Sequence, residues 1–310
     1  MIQNIPVEKT IPGGYLLRLG NGQGWQLEST VGAKTEVEKL GRIMGLKSYE
    51  PNGYPKLIFI RRQSGKTKCE EPALGLDKDT KEYLRKPGWI ARDLMLLRLW
   101  SHDDAPDLIC EMRHEEGNYE QSILSMRFSL YPIYQRAQES GGIPLHAGLV
   151  ERGGKGILLA GPKNTGKSTC CLRLPSPWRS FCDEETLIVM DKQQEYQAHP
   201  FPTWSDFFRK SSLGTWNVER HLPFSAIFFL EQAEQDEVIR IGPGEAAVLM
   251  NQSAMQVYHR FWHYCSDDEV KKGKKKLFEN ACQLTKSVPA FKLRVSLNGR
   301  FWEKIETVLP

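Results

Sequence analysis

The sequence predicts an α/β protein whose larger C-terminal domain carries a phosphate-binding loop and whose smaller N-terminal domain is of the α+β type. First, an apolar run, a glycine-rich turn spaced G-x-x-x-x-G-K-S and a helix-forming segment follow one another between Gly156 and Leu174. Second, strand-like runs alternate with helical stripes after residue 141, which is typical of a sheet flanked by helices. Third, the first 140 residues contain short strands and two helices but no chemical motif.

Composition excludes several classes of protein. A chain of 310 residues with 40% apolar and 26% charged residues is an ordinary globular protein, long enough for two domains. A net charge of +4 is too small to indicate a nucleic-acid partner, and no apolar run is long enough to span a membrane. The start of the chain lacks the pattern of a signal peptide, and seven cysteines without C-x-x-C spacing predict neither a disulfide framework nor a zinc site. We therefore expect a cytoplasmic protein.

Domain 1, residues 1–140, is predicted to begin with two strands around a glycine-rich turn, followed by a helix with a capping box at Thr35–Glu38 and a stop at Gly45. A polar loop is expected at 62–88. The predicted strands of this domain lie at 12–20, 25–28, 55–61, 94–100 and 106–112. We expect this domain to recognise a substrate or peptide.

Domain 2, residues 141–310, follows a predicted helix at 122–140. A glycine hairpin at 151–156 joins a strand to the strand of the phosphate-binding loop, and an irregular aromatic loop is expected at 198–209. The remaining predicted elements are strands at 143–150, 224–231 and 289–297 and helices at 245–264, 267–286 and 301–309.

The loop itself predicts nucleotide binding. Glycines at its two ends permit backbone angles that let successive N–H groups point at phosphate oxygens. Lys167 is expected to reach the β- and γ-phosphates of ATP, and the Ser168 hydroxyl to bind Mg²⁺. The residues expected to hold the nucleotide are Gly161, Asn164, Thr165, Gly166, Lys167, Ser168 and Thr169.

Two further positions are candidates for chemistry. An alcohol that accepts a phosphoryl group loses its proton, so a nearby carboxylate is useful, and Asp183 is our choice. Glu184 or Glu185 could exchange roles with it, and Asp183 and Glu184 are also expected to bind the metal. His146, on the strand beside the loop strand, is either a functional residue or a hydrogen-bonded core side chain.

Other features leave alternatives open. A transition-state cation could come from Arg209, Lys210 or Arg220, although a surface charge is the favoured interpretation of each. The basic run 271–276 is interpreted as a solvated helix face or loop, and His259 with His263 as structural. An aromatic cluster could line an acceptor groove, stack on adenine or pack in the core; it consists of Trp204, Phe207, Phe208 and Trp216.

From Pro144 to Val189 the chain resembles the HPr kinase/phosphorylase superfamily. The resemblance lies in His146-Ala-Gly-Leu-Val150, the glycine hairpin, the phosphate-binding loop and Asp183-Glu184, with weaker echoes at 225–231 and 291–302. The chain is similar to the small stand-alone HPr-kinase-like proteins of peptide-modification cassettes, including the SynChlorMet type, and to the lasso-peptide kinases. The resemblance implies an ATP- and Mg²⁺-dependent kinase that phosphorylates a serine of a peptide or protein.

Residue by residue, the resemblance implies that Lys167 is the phosphate-binding lysine, Ser168 the magnesium ligand and His146 the histidine close to the transferred phosphate. Asp183 matches the first aspartate of an Asp-Asp pair similar to a catalytic base, whereas Glu184 departs from the second. The stretch that supports phosphorylase activity has no counterpart, so we expect no reverse reaction. Members of the superfamily form hexamers; a homo-oligomer is one state open to this chain, and the sequence does not fix it.

Two other functions stay open at this stage. One is a nucleotide-binding regulatory or scaffold subunit without catalysis, because the acidic pair is altered and the phosphorylase stretch is missing. The other is a kinase for a small-molecule hydroxyl. The sequence fixes neither the phosphate acceptor nor the donor nucleotide.

Overall fold

The computed structural model describes residues 14–49, 53–61, 88–209 and 217–309, which fall into two compact units. Of these residues, the first unit takes 14–18, 24–49, 53–61, 88–132 and 207–209, and the second takes 19–23, 133–206 and 217–309. The polar loop predicted at 62–88 lies outside the described residues except for Gly88, as do Lys210 and Trp216.

The first unit is built on a mixed seven-stranded sheet in the order β3-β1-β2-β4-β7-β6-β5. Strands β2, β4 and β7 run parallel and the other pairs are antiparallel. The strands are β1 (Gly14–Arg18), β2 (Gly24–Ser29), β3 (Lys47–Tyr49), β4 (Lys56–Arg61), β5 (Ile90–Leu94), β6 (Leu97–His102) and β7 (Ala105–Met112). The predicted β1–β2 hairpin is confirmed, whereas β3 and β5 were not predicted.

The first helix, α1, spans Lys34–Ile43 and starts earlier than the capping-box pattern indicated. A 3₁₀ turn at Val31–Ala33 leads directly into it, and the N-cap residue Ala33 makes no side-chain capping bond. The predicted capping box at Thr35 is therefore wrong. Gly45, with a φ of 64°, follows the end of the helix as predicted.

The single helix predicted at 122–140 is two helices, α2 (Tyr119–Phe128) and α3 (Tyr131–Glu139). Asn118 caps α2, accepting a hydrogen bond from the backbone nitrogen of Gln121 at 3.1 Å. The chain breaks before Pro132 because proline has no N–H to continue the helix but fits its first turn. The apolar stripe alone did not reveal this break.

The second unit is built on a nine-stranded sheet. Its long strand β14 pairs antiparallel with β13 near its start and parallel with β10 and β16 along the rest of its length. The strands are β8 (Ile143–Leu145), β9 (Ala147–Arg152), β10 (Lys155–Ala160), β11 (Arg179–Cys182), β12 (Glu185–Met190), β13 (Tyr196–Phe201), β14 (Leu222–Gln232), β15 (Glu237–Arg240) and β16 (Ala290–Val295).

Helices cover this sheet and its core. Phe228 on β14 stacks on Phe291 on β16 with ring centroids 4.9 Å apart, and Leu159 and Phe301 belong to the same buried cluster. The helices are α4 (Lys167–Arg173), α5 (Trp204–Phe208), α6 (Pro243–Trp262), α7 (Asp267–Leu284) and α8 (Phe301–Glu306). The basic run lies on α7 with most of its lysines exposed, which confirms a solvated helix face.

Two predictions about the second unit are wrong. The irregular loop expected at 198–209 is the fully buried strand β13 followed by α5, and Trp204 is 0% exposed, so its ring packs in the core. The single strand predicted at 143–150 is two strands that break at His146 and pair with different neighbours. The broader prediction of a mixed α/β protein is confirmed. Among the described helices, none has the length and apolar character needed to cross a membrane.

Candidate functional site

The glycine-rich loop joins the end of β10 to α4 in the middle of the second unit's sheet. A Cβ at Gly161 would lie 2.8 Å from the Thr165 hydroxyl, which itself donates to the Pro162 carbonyl at 2.8 Å. Asn164 and Gly166 both have left-handed backbone angles, with φ of 68° and 99°. The loop is therefore curled tightly around its own backbone, and glycine is required at its first position.

Lys167 lies inside this curl. Only 6% of the residue is exposed, and its Nζ donates to the carbonyl oxygens of Gly161 at 2.9 Å and Pro162 at 2.8 Å. Burial lowers the pKa of Lys167 to about 8, while the negative charges of Glu184 and Asp183 act in the opposite direction. An ammonium group has three N–H donors, so one remains beyond the two loop carbonyls. The loop therefore holds a buried cation within electrostatic reach of both acids.

Asp183 and Glu184 form the short link between β11 and β12, and each is held by the segment that follows β13. Asp183 Oδ1 accepts a hydrogen bond from the Thr203 hydroxyl. Glu184 Oε2 accepts one from the backbone nitrogen of Ser205 at 3.0 Å. Both acids are half-buried, so each keeps some access to solvent. The two carboxylates are thus fixed at one end of the sheet.

His146 lies at the break between β8 and β9. Ala147 pairs with Ala160 in the antiparallel β9–β10 ladder, so the same register places His146 opposite Gly161. Its backbone nitrogen donates to the carbonyl oxygen of Ser253 on α6 at 3.3 Å, and its carbonyl oxygen accepts from the Ser253 hydroxyl at 3.2 Å. Burial, together with the positive charge of Lys167, lowers the pKa of His146 to about 4. His146 is therefore neutral at neutral pH.

The third acid of the run, Glu185, has other partners. Its side chain is 2% exposed and accepts hydrogen bonds from the Tyr134 hydroxyl at 2.9 Å and from Arg260 Nη1 at 2.6 Å. Arg260, on α6, also acts electrostatically on His146. The sequence analysis did not find this arginine, because nothing in a helical pattern shows which strand its polar face meets.

The three cations considered from the sequence are placed differently. Arg209 is exposed, and Lys210 lies outside the described residues. The Arg220 guanidinium lies 4.8 Å from the ring centroid of Phe181. The hydrogen bond from Arg179 is the main cause that lowers the pKa of Glu151, near the hairpin end of β9, and the charge of Arg220 adds to it. Arg220 is thus associated with the end of β9 away from His146.

The residues around the loop fit a nucleotide triphosphate with Mg²⁺. The absence of a side chain at Gly161 lets the loop adopt its curled form, and Ser168 is exposed at the start of α4. Within the described residues no group of three or more His, Cys, Asp or Glu side chains could hold a metal by itself. That absence is compatible with Mg²⁺, which is usually held by one or two carboxylates together with phosphate oxygens and water.

Thr203 and Ser205 were also missed by the sequence analysis, but a usable signal existed. Strands β12 and β13 are antiparallel with Glu185 opposite Phe201, so continuing the register places Asp183 opposite Thr203. The prediction of an irregular loop at 198–209 concealed this pairing. If β13 had been predicted as a strand, its pairing with β12 would have placed Thr203 beside Asp183.

Comparison with known proteins gives one family. The family model described as SynChlorMet cassette protein ScmC matches residues 108–310. The match begins inside β7 and includes every residue described above at the loop and the acids. No curated protein matches the chain.

Proposed function

The chain belongs to the SynChlorMet cassette protein ScmC family, and we propose that it is an ATP- and Mg²⁺-dependent kinase of the HPr-kinase-like type. In this proposal it transfers the γ-phosphate to a serine hydroxyl of a peptide or protein. The observation that carries the proposal is the burial of the Lys167 ammonium group inside a curled glycine-rich loop, within electrostatic reach of Asp183 and Glu184. Membership of a cassette family supports a role in a peptide-modification pathway.

Each residue has a distinct task in this proposal. Bound MgATP would supply the transferable phosphoryl group together with a metal that neutralises charge on its oxygens. Backbone N–H groups of the loop and the Lys167 ammonium group bind phosphate oxygens. Lys167 then exchanges its hydrogen bonds to the loop carbonyls for bonds to phosphate, so the ammonium group stays paired. Ser168 and Glu184 would supply oxygen ligands to the Mg²⁺ ion. Asp183 accepts the proton that the serine hydroxyl loses, and neutral His146 lines the phosphate side opposite Gly161.

Nucleotide binding without transfer is the second candidate function. It is favoured by Glu184, whose longer side chain stands where related kinases carry aspartate and is already bound to the Ser205 backbone. A small-molecule alcohol is an alternative acceptor for the first candidate. Both differ from the proposal in products that can be measured.

The test is phosphoryl transfer from γ-labelled ATP to peptides encoded in the same cassette, with product sites assigned by mass spectrometry. Lys167→Met should weaken ATP binding and abolish transfer, because the cation is lost while side-chain length is kept. Asp183→Asn should bind metal-free ATP like the wild type and lose about 10²–10⁴-fold in rate, the usual contribution of a general base. Lys155→Met, at the exposed start of β10, is the matched control and should behave as wild type.

The outcomes separate the candidates. Wild-type transfer that survives both Lys167→Met and Asp183→Asn contradicts the proposal. Tight ATP binding without transfer to any peptide supports the regulatory alternative, and phosphate found only on a small alcohol redirects the substrate class.

A further inference from the structure

We infer that Thr203 is a positioning residue that fixes the orientation of the Asp183 carboxylate at the candidate site. The inference rests on the proposed function, since it assigns the residue that holds the proposed proton acceptor. Its basis is a hydrogen bond from the Thr203 hydroxyl to Asp183 Oδ1, made where two strand ends meet.

Thr203 is itself held rigidly. It is 2% exposed and lies two residues beyond the end of β13, where Phe201 pairs with Glu185. Its carbonyl oxygen accepts the backbone nitrogen of Asp206 at 3.1 Å, in the first turn of α5. A β-branched side chain also has few χ1 rotamers. Sheet register and the start of α5 therefore both fix the position of the hydroxyl.

The direction of this hydrogen bond has a chemical consequence. A hydroxyl has one proton to donate, and here it is directed to Asp183 Oδ1. The ionised carboxylate can accept at both oxygens, so Oδ2 stays available to a metal ion or to an acceptor hydroxyl. Without the Thr203 hydroxyl, Asp183 could rotate and present its oxygens in several directions. Thr203 acts on the chemistry only through Asp183.

The neighbouring residues support the same arrangement. Ser205 donates its backbone N–H to Glu184, and Trp204 between them is fully buried. One three-residue segment therefore holds both acids, Asp183 by a side chain and Glu184 by the backbone. Because only the first of these contacts depends on a side chain, substitution can remove it selectively.

Three variants test the inference. Thr203→Val keeps the shape and removes the hydroxyl, Thr203→Ser keeps the hydroxyl, and Thr285→Val makes the same change at another buried threonine, whose hydroxyl donates to the Ala281 carbonyl at 3.0 Å on α7. We expect Thr203→Val to lower kcat by about 10–100-fold, the usual cost of losing a partner that orients a ligand, with the affinity for metal-free ATP unchanged. Thr203→Ser should restore the wild-type rate, and Thr285→Val should not change it.

A second measurement separates this inference from the proposed function. Calorimetric titration with ATP, with and without Mg²⁺, reports how far the metal strengthens binding, whether or not transfer occurs. Thr203→Val should reduce that strengthening while metal-free binding stays at the wild-type level, and Thr203→Ser should retain it. If the wild type transfers no phosphate but shows this pattern, the proposed reaction fails and the positioning role stands.

A different result overturns the inference. If Thr203→Val matches the wild type both in kcat and in the Mg²⁺ effect, Thr203 does not position Asp183. If Thr203→Ser is as impaired as Thr203→Val, the hydroxyl is not the group responsible. A fall in thermal stability with unchanged kcat would assign Thr203 a structural role only.

Discussion

The Nζ atom of Lys167 lies 2.9 Å from the carbonyl oxygen of Gly161, six residues earlier in the chain. The cation at the start of α4 therefore turns back onto the end of β10 and helps to close the loop. Burial lowers its pKa to about 8, whereas the two nearby acids favour its charged form. The charge of this lysine can thus change within an accessible pH range.

ATP affinity should fall as the pH rises above about 8 in the free protein. The ammonium form of Lys167 binds phosphate. Above its pKa the free protein must take up a proton when it binds ATP, and this lowers the ATP affinity by up to about tenfold per pH unit for one proton. Calorimetric titration between pH 7 and pH 9.5 measures the ATP affinity. A phosphate group has a second pKa of about 6, so the phosphate is already ionised throughout this range. Lys167→Met should bind weakly without this dependence. An affinity that stays constant across pH 8 would contradict the prediction.

Stability should fall with acidification because of His199, a fully buried residue of β13. Its Nε2 accepts from the Gly20 backbone nitrogen at 2.9 Å and its Nδ1–H donates to the Val218 carbonyl at 2.6 Å, so Nε2 can take a proton only by losing the hydrogen bond from Gly20. Burial lowers its pKa to about 3, well below the unfolded value near 6.5. Above pH 6.5, neutral His199 makes its full contribution to the free energy of unfolding, and this contribution is lost as the pH falls towards 3.

Urea unfolding at pH 7.5, 6, 5 and 4 measures this loss, whose slope approaches about 1.4 kcal/mol per pH unit for one proton. His199→Gln should be less stable at pH 7.5 but should lose less stability on acidification than the wild type. His146, with its pKa lowered to about 4, contributes in the same direction in both proteins and cancels in the comparison. Equal slopes for wild type and variant would show that His199 does not govern this range.

Much of the fold was predictable because local pattern and tertiary structure agree. The stripes of α6 and α7, the run of β14 and the hairpin at Gly153-Gly154, with φ of 60° and 80°, each carry their own signal. The loop was predictable because its residue spacing is required by backbone geometry. The roles proposed for Asp183 and Glu184 remain predictions.

The errors occur where the sequence has no local marker. His146 looks like one residue in a continuous apolar run, but its backbone is bound to Ser253 at the point where β8 and β9 diverge to different neighbours. The prolines at 200 and 202 made β13 look like a loop, although Tyr196–Phe201 is fully buried strand. Partners such as Arg260 depend on helix placement, which no residue spacing encodes.

Arg260→Met should destabilise the protein by about 3–5 kcal/mol, because it leaves the buried Glu185 carboxylate without its charged partner. Tyr134→Phe removes one hydrogen bond to the same carboxylate and should cost about 1.5–3 kcal/mol. Replacing both charges, as in Glu185→Leu with Arg260→Met, should cost less than the sum of the two single changes. Urea unfolding of Glu185→Leu, Arg260→Met and the double variant measures this coupling, and the same method measures the loss in Tyr134→Phe. Additive losses of unfolding free energy in the double variant would show that Glu185 and Arg260 are not coupled.

Gly148→Ala should impair transfer more than it impairs ATP binding. A Cβ at this position on β9 would lie 2.8 Å from Cys171 Sγ, 3.2 Å from the Cys182 carbonyl oxygen and 3.3 Å from Asp183 Cα. These neighbours must shift, at a cost of about 1–3 kcal/mol for an overpacked site, and the shift displaces Asp183. The phosphate-binding loop leaves from β10, and the added Cβ meets the side chain of Cys171 and not the backbone of α4, so ATP affinity should change less than the transfer rate.

Two comparisons make this prediction specific to the position. Cys171→Ala combined with Gly148→Ala removes the nearest obstructing atom and should recover part of the transfer rate. Gly244→Ala, on α6 with no atom within 4 Å of the added Cβ, should leave transfer unchanged. Transfer rate, ATP affinity and unfolding free energy are measured for each variant. If Gly148→Ala loses ATP affinity and transfer in the same proportion, the strain extends to the loop itself, and contact with Asp183 is not what makes glycine necessary at 148.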